Sequence, residues 1–288
     1  MDRPPAAAGC QPDAPAHAPH RYSDPVHALH ATHIRVLRSL ERQPQCDLAS
    51  LLSPQWLDSA EILKQDDRDA VLAGEFNGRP AILKIHRLSG AGDAAARLLG
   101  GTRLQREWKG YLALRNAGLP CAEPIALLRA RSAHGSAIEA LATYRLPGET
   151  LLRHAARAAT TPRDEHELST ELGVLTARIA LAGLHNRDHK PSNIIIDAGA
   201  PAGKRLTLID AAGVRRRRPR GDERMLANLT IEFLGARALP RRALLMRCLR
   251  ACETEPGADH DHKERWRRIS EAIRNHGDPT PKIDPLTH

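Results

Sequence analysis

Four polar residues in the second half of the chain have types and spacing that suit a metal ion and the transfer of a charged group. Asp188 is followed two positions later by Lys190 and five positions later by Asn193, and a later apolar run ends in Asp210. If the apolar runs next to Asn193 and Asp210 form a hairpin, these two side chains lie side by side at its base. An amide oxygen and a carboxylate held together are suitable ligands for Mg²⁺. Asp188 is then placed to orient a hydroxyl group or accept its proton, and Lys190 to neutralise charge on a phosphoryl group in transfer.

The order of these residues is that of the protein-kinase catalytic loop, D-x-x-x-x-N, followed by a metal-binding aspartate. Two residues in the first half of the chain fit the same scheme. Lys84 ends an apolar run of the V-A-I-K type, and Glu107 lies on the following predicted helix, where it would pair with the lysine and aim its ammonium group at ATP phosphates. Three plainer interpretations stay open: a polar surface loop around Asp188, a solvated lysine at a strand edge, and an exposed helical glutamate.

The sequence departs from the kinase pattern at several positions. Asn186 stands where the histidine of H-R-D is expected, and His185 lies one place too early. Ala211 and Ala212 replace the Phe-Gly that follows the metal-binding aspartate, so a switch based on that phenylalanine is excluded. The first hairpin turn, 65–69, contains no glycine, and we therefore assign no phosphate-cradling loop. No A-P-E phrase follows, which argues against a platform for peptide substrates.

A run of four arginines, Arg215, Arg216, Arg217 and Arg218, comes shortly after the candidate metal-binding aspartate. Bidentate contacts from their guanidinium groups would suit the phosphates or carboxylates of an anionic acceptor. A solvated charged turn or a nonspecific polyanion patch would have the same composition. Specific nucleic-acid binding is not expected, because the chain has only 3 Trp, 3 Tyr and 2 Phe for base stacking.

The composition of the 288-residue chain is that of a globular protein with one core or two small lobes. Its 43 Lys and Arg against 34 Asp and Glu give a net charge of +9, which favours an anionic partner. No apolar run is long enough for a membrane-spanning helix, and no secretory signal is visible. The five scattered cysteines are expected to be reduced thiols. A cytoplasmic protein is predicted, whose membrane contact, if any, is peripheral and made through its basic surface.

The hydropathy patterns divide the chain into two lobes between two tails. A Pro-, Ala- and His-rich tail, 1–24, is expected to be disordered, and the last residues, 277–288, to be frayed. The N-terminal lobe, 25–146, is predicted to contain a leading helix over Val26–Arg42, five antiparallel strands and the helix that carries Glu107.

The C-terminal lobe, 147–276, is predicted to be mostly helical, with a hairpin that presents the catalytic loop. Its helices are expected from Thr161 to Gly183 and near 222–235, 240–252 and 262–275. The predicted fold class is therefore α+β, a bilobal kinase-like fold with ATP between the lobes near 145–149.

The chain resembles the lipopolysaccharide core heptose and Kdo kinases, a bacterial branch of the kinase-like fold. The segments that carry the likeness lie between about 60 and 235, and they are Ile82–Lys84, Arg106–Trp108, Gly118–Pro124, His185–Asn193 and Leu208–Asp210 with the arginine run after it. The resemblance implies ATP- and Mg²⁺-dependent phosphorylation of a sugar hydroxyl in the inner core of lipopolysaccharide, an anionic glycolipid.

The resemblance also implies a role for each candidate residue. Lys84 would hold the ATP phosphates and Glu107 would pair with it. Asp188 would be the catalytic base, and Lys190 would contact the γ-phosphate. Asn193 and Asp210 would be the metal ligands. Two alternatives stay open: a kinase of another small molecule or of a protein, and a non-catalytic pseudokinase that binds anionic partners.

Overall fold

The computed structural model describes residues 31–40, 45–99, 101–132, 135–157, 161–217, 222–236, 242–254 and 261–280. The predicted disordered tail, 1–24, and the last part of the predicted frayed tail, 281–288, lie outside these residues.

The first half of the chain forms a six-stranded antiparallel sheet. In chain order its strands are β1 (Ala31–Ser39), β2 (Glu61–Gln65), β3 (Asp69–Phe76), β4 (Arg79–Leu88), β5 (Pro124–Ser132) and β6 (Ala137–Tyr144). Across the sheet the order is β1-β5-β6-β4-β3-β2. The turn between β3 and β4 is the predicted Asn77–Gly78 hairpin, in which both residues have the positive φ that a two-residue type I′ turn requires.

The predicted leading helix over Val26–Arg42 is wrong in the part that the structure describes. Ala31–Ser39 is strand β1, which pairs antiparallel with β5 at the edge of the sheet. The β-branched residues Thr32, Ile34 and Val36 favour a strand. The pairing register shifts twice along β1, and such bulges break the period-2 alternation that identifies a strand. The apolar residues therefore fall at intervals that resemble those of a helix.

A segment that the sequence patterns left unassigned covers the outer face of the sheet. It consists of α1 (Gln45–Ala49), a 3₁₀ turn (Ser50–Leu52) and α2 (Pro54–Ser59). Its leucines are almost fully buried against that face: Leu48, Leu51, Leu52 and Leu57. Each of these elements is shorter than two helical turns, so hydrophobic periodicity cannot reveal them.

The inner face of the sheet meets the rest of the molecule through a helix. After β4 come α3 (Gly90–Leu98) and α4 (Arg103–Asn116), and α4 is the predicted helix with Glu107. Leu104, Trp108 and Tyr111 of α4 belong to one core cluster with the residues of the C-terminal lobe. Helix α4 therefore packs between the sheet and the C-terminal lobe.

The C-terminal lobe is mostly helical, with short strands that frame two loops. The strands are β7 (Glu149–Thr150), β8 (Leu184–Asn186), β9 (Ile194–Ile196), β10 (Leu206–Leu208) and β11 (Val214–Arg216). β10, β9 and β7 form one small sheet, and β11 pairs with β8 in another. The predicted hairpin is β9 and β10, which are antiparallel neighbours.

The helices of this lobe lie where the patterns predict them, and a short one precedes them. They are α5 (Leu151–Ala156), α6 (Pro162–Leu181), α7 (Asp222–Gly235), α8 (Arg242–Thr254) and α9 (His262–Arg274). Thr161 caps α6, since its side chain accepts from the Asp164 N–H. Arg265 of α9 is fully buried and pairs with Asp222 of α7 and Glu253 of α8, which ties the last three helices together.

The described cysteines and helices bear on two further predictions. The three cysteines whose side chains are described, Cys121, Cys248 and Cys252, are free thiols, as predicted. Within the described ranges, no helix combines the length and the apolar character needed to cross a membrane.

Candidate active site

Lys84 and Glu107 form a buried ion pair at the inner face of the sheet. Along β4, the buried Leu83 and Ile85 face the outer core, so the alternation of the strand turns Lys84 to the opposite face, toward α4. Its Nζ is 2.5 Å from Oε1 of Glu107, a residue with no exposed surface. The sequence prediction that these two residues meet is confirmed by this contact.

Neighbouring charges and burial shift the pKa values of Lys84 and Glu107. Burial alone would lower the pKa of Lys84, but the carboxylates of Glu107 and Asp210 outweigh burial and raise it above its usual value. Burial raises the pKa of Glu107, while the charge of Lys84 opposes that rise. The ammonium group of Lys84 is therefore kept charged at this face of the sheet, with the carboxylate of Asp210 contributing.

Tyr111 connects this ion pair to Asp210, and the sequence analysis did not identify it. Its hydroxyl group donates to Oε1 of Glu107 at 3.1 Å and accepts from the backbone N–H of Asp210 at 3.1 Å. A continuous chain of contacts thus runs from Lys84 through Glu107 and Tyr111 to Asp210. The spacing of four residues between Glu107 and Tyr111 puts both on one face of α4 and is the signal that would have found the tyrosine.

A second polar cluster fixes the beginning of α4 to the sheet. The buried carboxylate of Glu139 in β6 accepts from Gln105 at 3.0 Å, from Arg129 at 2.5 Å and from the hydroxyl group of Thr102. Thr102 is also the N-cap of α4. These contacts hold the helix, and with it Glu107, at a fixed position against the sheet.

Asp210 occupies a tight turn after β10. Its φ of 55° is in the left-handed region, and its side chain accepts from the Ala212 N–H as the cap of a 3₁₀ turn, Ala211–Gly213. Helix α4 approaches this turn so closely that a Cβ on Gly110 would lie 2.0 Å from the Ala211 carbonyl oxygen. Ala211 is fully buried. The small residue in place of the usual phenylalanine is therefore a consequence of this close packing.

Asp188 is held by residues on both sides of the catalytic loop. Its backbone N–H donates to Oδ1 of the buried Asn186 at 3.1 Å, and its carbonyl accepts from Nδ2 of Asn193 at 2.9 Å. A Cβ on Gly213 would lie 2.6 Å from its carboxylate, which brings Asp188 against the turn that follows Asp210. Arg187 pairs with the carboxylate at 3.1 Å. Asn186, which departs from the H-R-D pattern, therefore still orients the loop.

Helix α7 supports the catalytic loop from behind, through residues that the sequence analysis did not identify. Both carboxylate oxygens of Glu232 accept from Ser192, from its backbone N–H and from its hydroxyl group, each at 2.7 Å. Asn228 donates to the carbonyl of Arg187 at 2.6 Å. Asn228 and Glu232 lie four residues apart on one helical face, and this spacing is the only sequence signal for them.

His189 lies in the loop and is completely buried. Thr176 donates its hydroxyl hydrogen to the Leu172 carbonyl at 2.7 Å, so it accepts from Nε2 of His189 at 3.1 Å. This bond assigns the proton of the neutral imidazole to Nε2. Burial lowers the pKa of His189 to about 3, and the neighbouring His185 adds to the effect.

The titration of His189 makes the stability of the fold depend on pH. Below pH 6.5, His189 binds a proton in the unfolded chain but stays neutral in the native protein. The free energy of unfolding therefore falls as the pH falls from about 6.5 to about 3. Between pH 7 and pH 5 this loss is about 2 kcal/mol. In urea unfolding, His189→Gln should therefore show a pH dependence that is flatter by this amount.

The matched control for this prediction is His276→Gln, which changes an exposed histidine in the chain after α9. It should keep the pH dependence of the wild type. An equal pH dependence in His189→Gln and in the wild type would show that His189 is protonated in the native state.

The remaining predicted residues lie at the surface around the loop. Lys190 is exposed and forms no ion pair with another described residue. Arg215 and Arg216 lie on β11, opposite His185 and Leu184 of β8, and both are exposed, as is Arg217. Arg218 lies outside the described residues.

The residues at the base of the hairpin fit a magnesium ion that shares its ligands with a nucleotide. The backbone N–H of Ile209, next to Asp210, donates to the Asn193 carbonyl at 2.9 Å, which brings the two candidate ligands together. Asn193 uses its amide nitrogen to bind Asp188, so its amide oxygen is the atom suited to a metal. Within the described segments, no group of three or more His, Cys, Asp and Glu side chains could hold a metal. One carboxylate and one amide are the donor set that Mg²⁺ uses when phosphates complete its shell.

Comparison with solved structures identifies the fold. The solved structure described as "WaaP in complex with acyl carrier protein" matches 83% of this chain and 99% of that chain, with a TM-score of 0.57 and 18% sequence identity. The match confirms the predicted bilobal kinase-like α+β fold, and it agrees with the resemblance seen in the sequence motifs. No protein-family model and no curated protein sequence matches the chain.

Proposed function

We propose that this protein is a kinase that transfers the γ-phosphoryl group of ATP to an alcohol, and that the alcohol is a sugar hydroxyl of the lipopolysaccharide inner core. The observation that carries the proposal is the chain of contacts from Lys84 through Glu107 and Tyr111 to Asp210, next to a loop that holds Asp188 and Asn193. A lysine, two carboxylates and an amide in this order are the parts that phosphoryl transfer requires.

Each residue has a role in this proposal that follows from its position. Lys84, kept charged by its neighbours, binds nucleotide phosphates, and Glu107 prevents its ammonium group from moving away. Asn193 and Asp210 hold Mg²⁺, which neutralises phosphate charge when bound. Asp188 orients the acceptor hydroxyl and accepts its proton. Lys190, at the exposed side of the loop, contacts the γ-phosphate.

The acceptor is proposed from the family resemblance and from the charge beside the loop. The sequence motifs resemble lipopolysaccharide core kinases, and a solved structure with the same fold is described as "WaaP in complex with acyl carrier protein". Arg215 and Arg216 lie on β11, which pairs with β8 immediately before the catalytic loop, and Arg217 follows them; all three are exposed. Such a surface suits the anionic groups of an inner-core glycolipid, reached by peripheral contact with the membrane from the cytoplasm.

A transfer assay with γ-labelled ATP tests the function. The acceptor panel contains inner-core oligosaccharides, an aminoglycoside and a generic protein, and Asp210→Ala serves as the inactive control. We expect label on the core oligosaccharides with the wild type alone. Label on another acceptor would support kinase activity but contradict a glycolipid acceptor. If no acceptor is labelled although ATP binds, the result would support a pseudokinase.

Arg215, Arg216 and Arg217 should affect the binding of the acceptor more than the binding of the nucleotide. Replacing Arg215, Arg216 and Arg217 with glutamine together should raise the KM for the acceptor by about tenfold or more, because each bidentate contact to an anion stabilises the complex by about 1.5–3 kcal/mol. The KM for ATP should change by less than about twofold.

Arg163→Gln is the control for losing a positive charge elsewhere on the surface. It removes an 87% exposed guanidinium group at the beginning of α6. It should leave both KM values unchanged. If the triple variant raises both KM values equally, or neither, the arginines do not bind the acceptor.

A further inference from the structure

The turn between β2 and β3 has no glycine and uses three of its backbone N–H groups within the turn. The carboxylate of Asp66 accepts from the N–H groups of Arg68 at 3.0 Å and of Asp69 at 2.7 Å, and the Asp66 N–H donates to the Asp69 carbonyl at 2.8 Å. These amides are therefore used within the turn. In kinase-like folds a glycine-rich first hairpin covers the phosphates, and here those three amides are not available for such contacts.

Arg103 is a cationic side chain that the fold places within 4 Å of the candidate metal ligand Asp210. It is the first residue of α4, and spacings of four residues put it on the same helical face as Glu107 and Tyr111. Its Nη1 lies 3.1 Å from Oδ2 of Asp69, and its Nη2 lies 3.8 Å from Oδ2 of Asp210. The side chain is 49% exposed, so it remains accessible to a ligand.

We propose that Arg103 binds the phosphate groups of the nucleotide, together with Lys84, in place of a glycine-rich loop. The inference rests on the proposed function, since it assigns a contact to the nucleotide of that reaction. Neither the kinase motifs nor the family resemblance pointed to this residue.

The contacts of Arg103 suit a phosphate ligand. The 3.8 Å separation from Asp210 is too long for a hydrogen bond, so the donors on that side of the guanidinium group are available. Asp69 holds the other side, and Nδ1 of His86 in turn contacts Asp69 at 2.7 Å. The planar fork of an arginine matches two phosphate oxygens at once. A phosphate bound next to Asp210 would therefore lie within reach of this fork.

Calorimetric titration of the full-length protein with two probes tests the inference. ATP with Mg²⁺ reports the whole site, and adenosine reports the site without phosphates. The variant is Arg103→Gln. The matched control is Arg106→Gln, an exposed arginine of the same helix whose guanidinium group donates to the Gly101 carbonyl.

We expect Arg103→Gln to weaken the binding of ATP by about 10- to 100-fold, the effect of losing a charge-assisted hydrogen bond, and to leave adenosine binding within about twofold. Arg106→Gln should bind both probes like the wild type. If Arg103→Gln weakens adenosine as much as ATP, the residue has only a structural role. If it leaves ATP binding unchanged or strengthens it, Arg103 does not bind phosphates, although the proposed function survives. If the wild type binds no ATP, the role of Arg103 and the proposed function are both rejected.

Discussion

Asp188→Ala is expected to lower kcat for phosphoryl transfer by about 10²–10⁴-fold, the contribution of a positioned general base. The KM for ATP should change little, because the proposed site assigns the phosphates to other residues. The fold should persist, since the main partner of the carboxylate is the exposed Arg187, and a pair of this kind contributes about 1 kcal/mol or less. The measurement is the rate of transfer at saturating ATP, together with the unfolding midpoint.

Asp197→Ala is the matched control for this prediction. Asp197 follows β9 in the hairpin next to the catalytic loop, and among the described residues its carboxylate accepts one local bond, from the Gly199 N–H at 2.9 Å. This variant should turn over like the wild type. If Asp188→Ala retains a rate within about threefold of the wild type, another group activates the acceptor.

Gly110→Ala is expected to destabilise the protein and to damage the site at the same time. The added Cβ would lie 2.0 Å from the carbonyl oxygen of Ala211, so the backbone of helix α4 or of the turn after Asp210 must move. Overpacking of this kind costs about 2 kcal/mol or more, which for a chain of this size lowers Tm by roughly 4–8 °C. Affinity for ATP in the presence of Mg²⁺ should also fall, since Asp210 adjoins the displaced backbone.

Gly92→Ala makes the same change on α3, where nothing lies within 4 Å of the added Cβ. Alanine is favoured over glycine in a helix by about 1 kcal/mol, so this variant should be as stable as the wild type or more so. Equal Tm values for Gly110→Ala and the wild type would mean that α4 does not pack against the turn as closely as described.

The parts of the site that follow from local sequence were predicted, and the parts that depend on packing were not. The apolar run that ends in Lys84 pointed to that residue, and the spacing of the loop pointed to Asp188. The predicted hairpin placed Asn193 and Asp210 side by side. Tyr111 contacts Asp210 and Glu232 contacts Ser192, and each pair is far apart in the chain. Their four-residue spacings from Glu107 and Asn228 are common in any amphipathic helix, so the spacing alone does not reveal these contacts.

The same division holds for the fold. Strands β2 to β6 are short apolar runs bounded by turn signals, and they lie where these signals place them. Strand β1 was missed because bulges disrupt its alternation, and α1 and α2 because they are too short for a helical period. The substitution of Asn186 and Ala211 at kinase positions is explained only once the contacts with Asp188 and Gly110 are known.

Equilibrium dialysis of the wild-type protein against labelled ATP, with Mg²⁺ and with excess chelator, tests the central claim most directly. If Lys84, Asn193 and Asp210 form a nucleotide site completed by magnesium, ATP should bind in the presence of the metal and about tenfold or more weakly without it. Retention of no ATP in either condition, or of equal amounts in both, would contradict that claim.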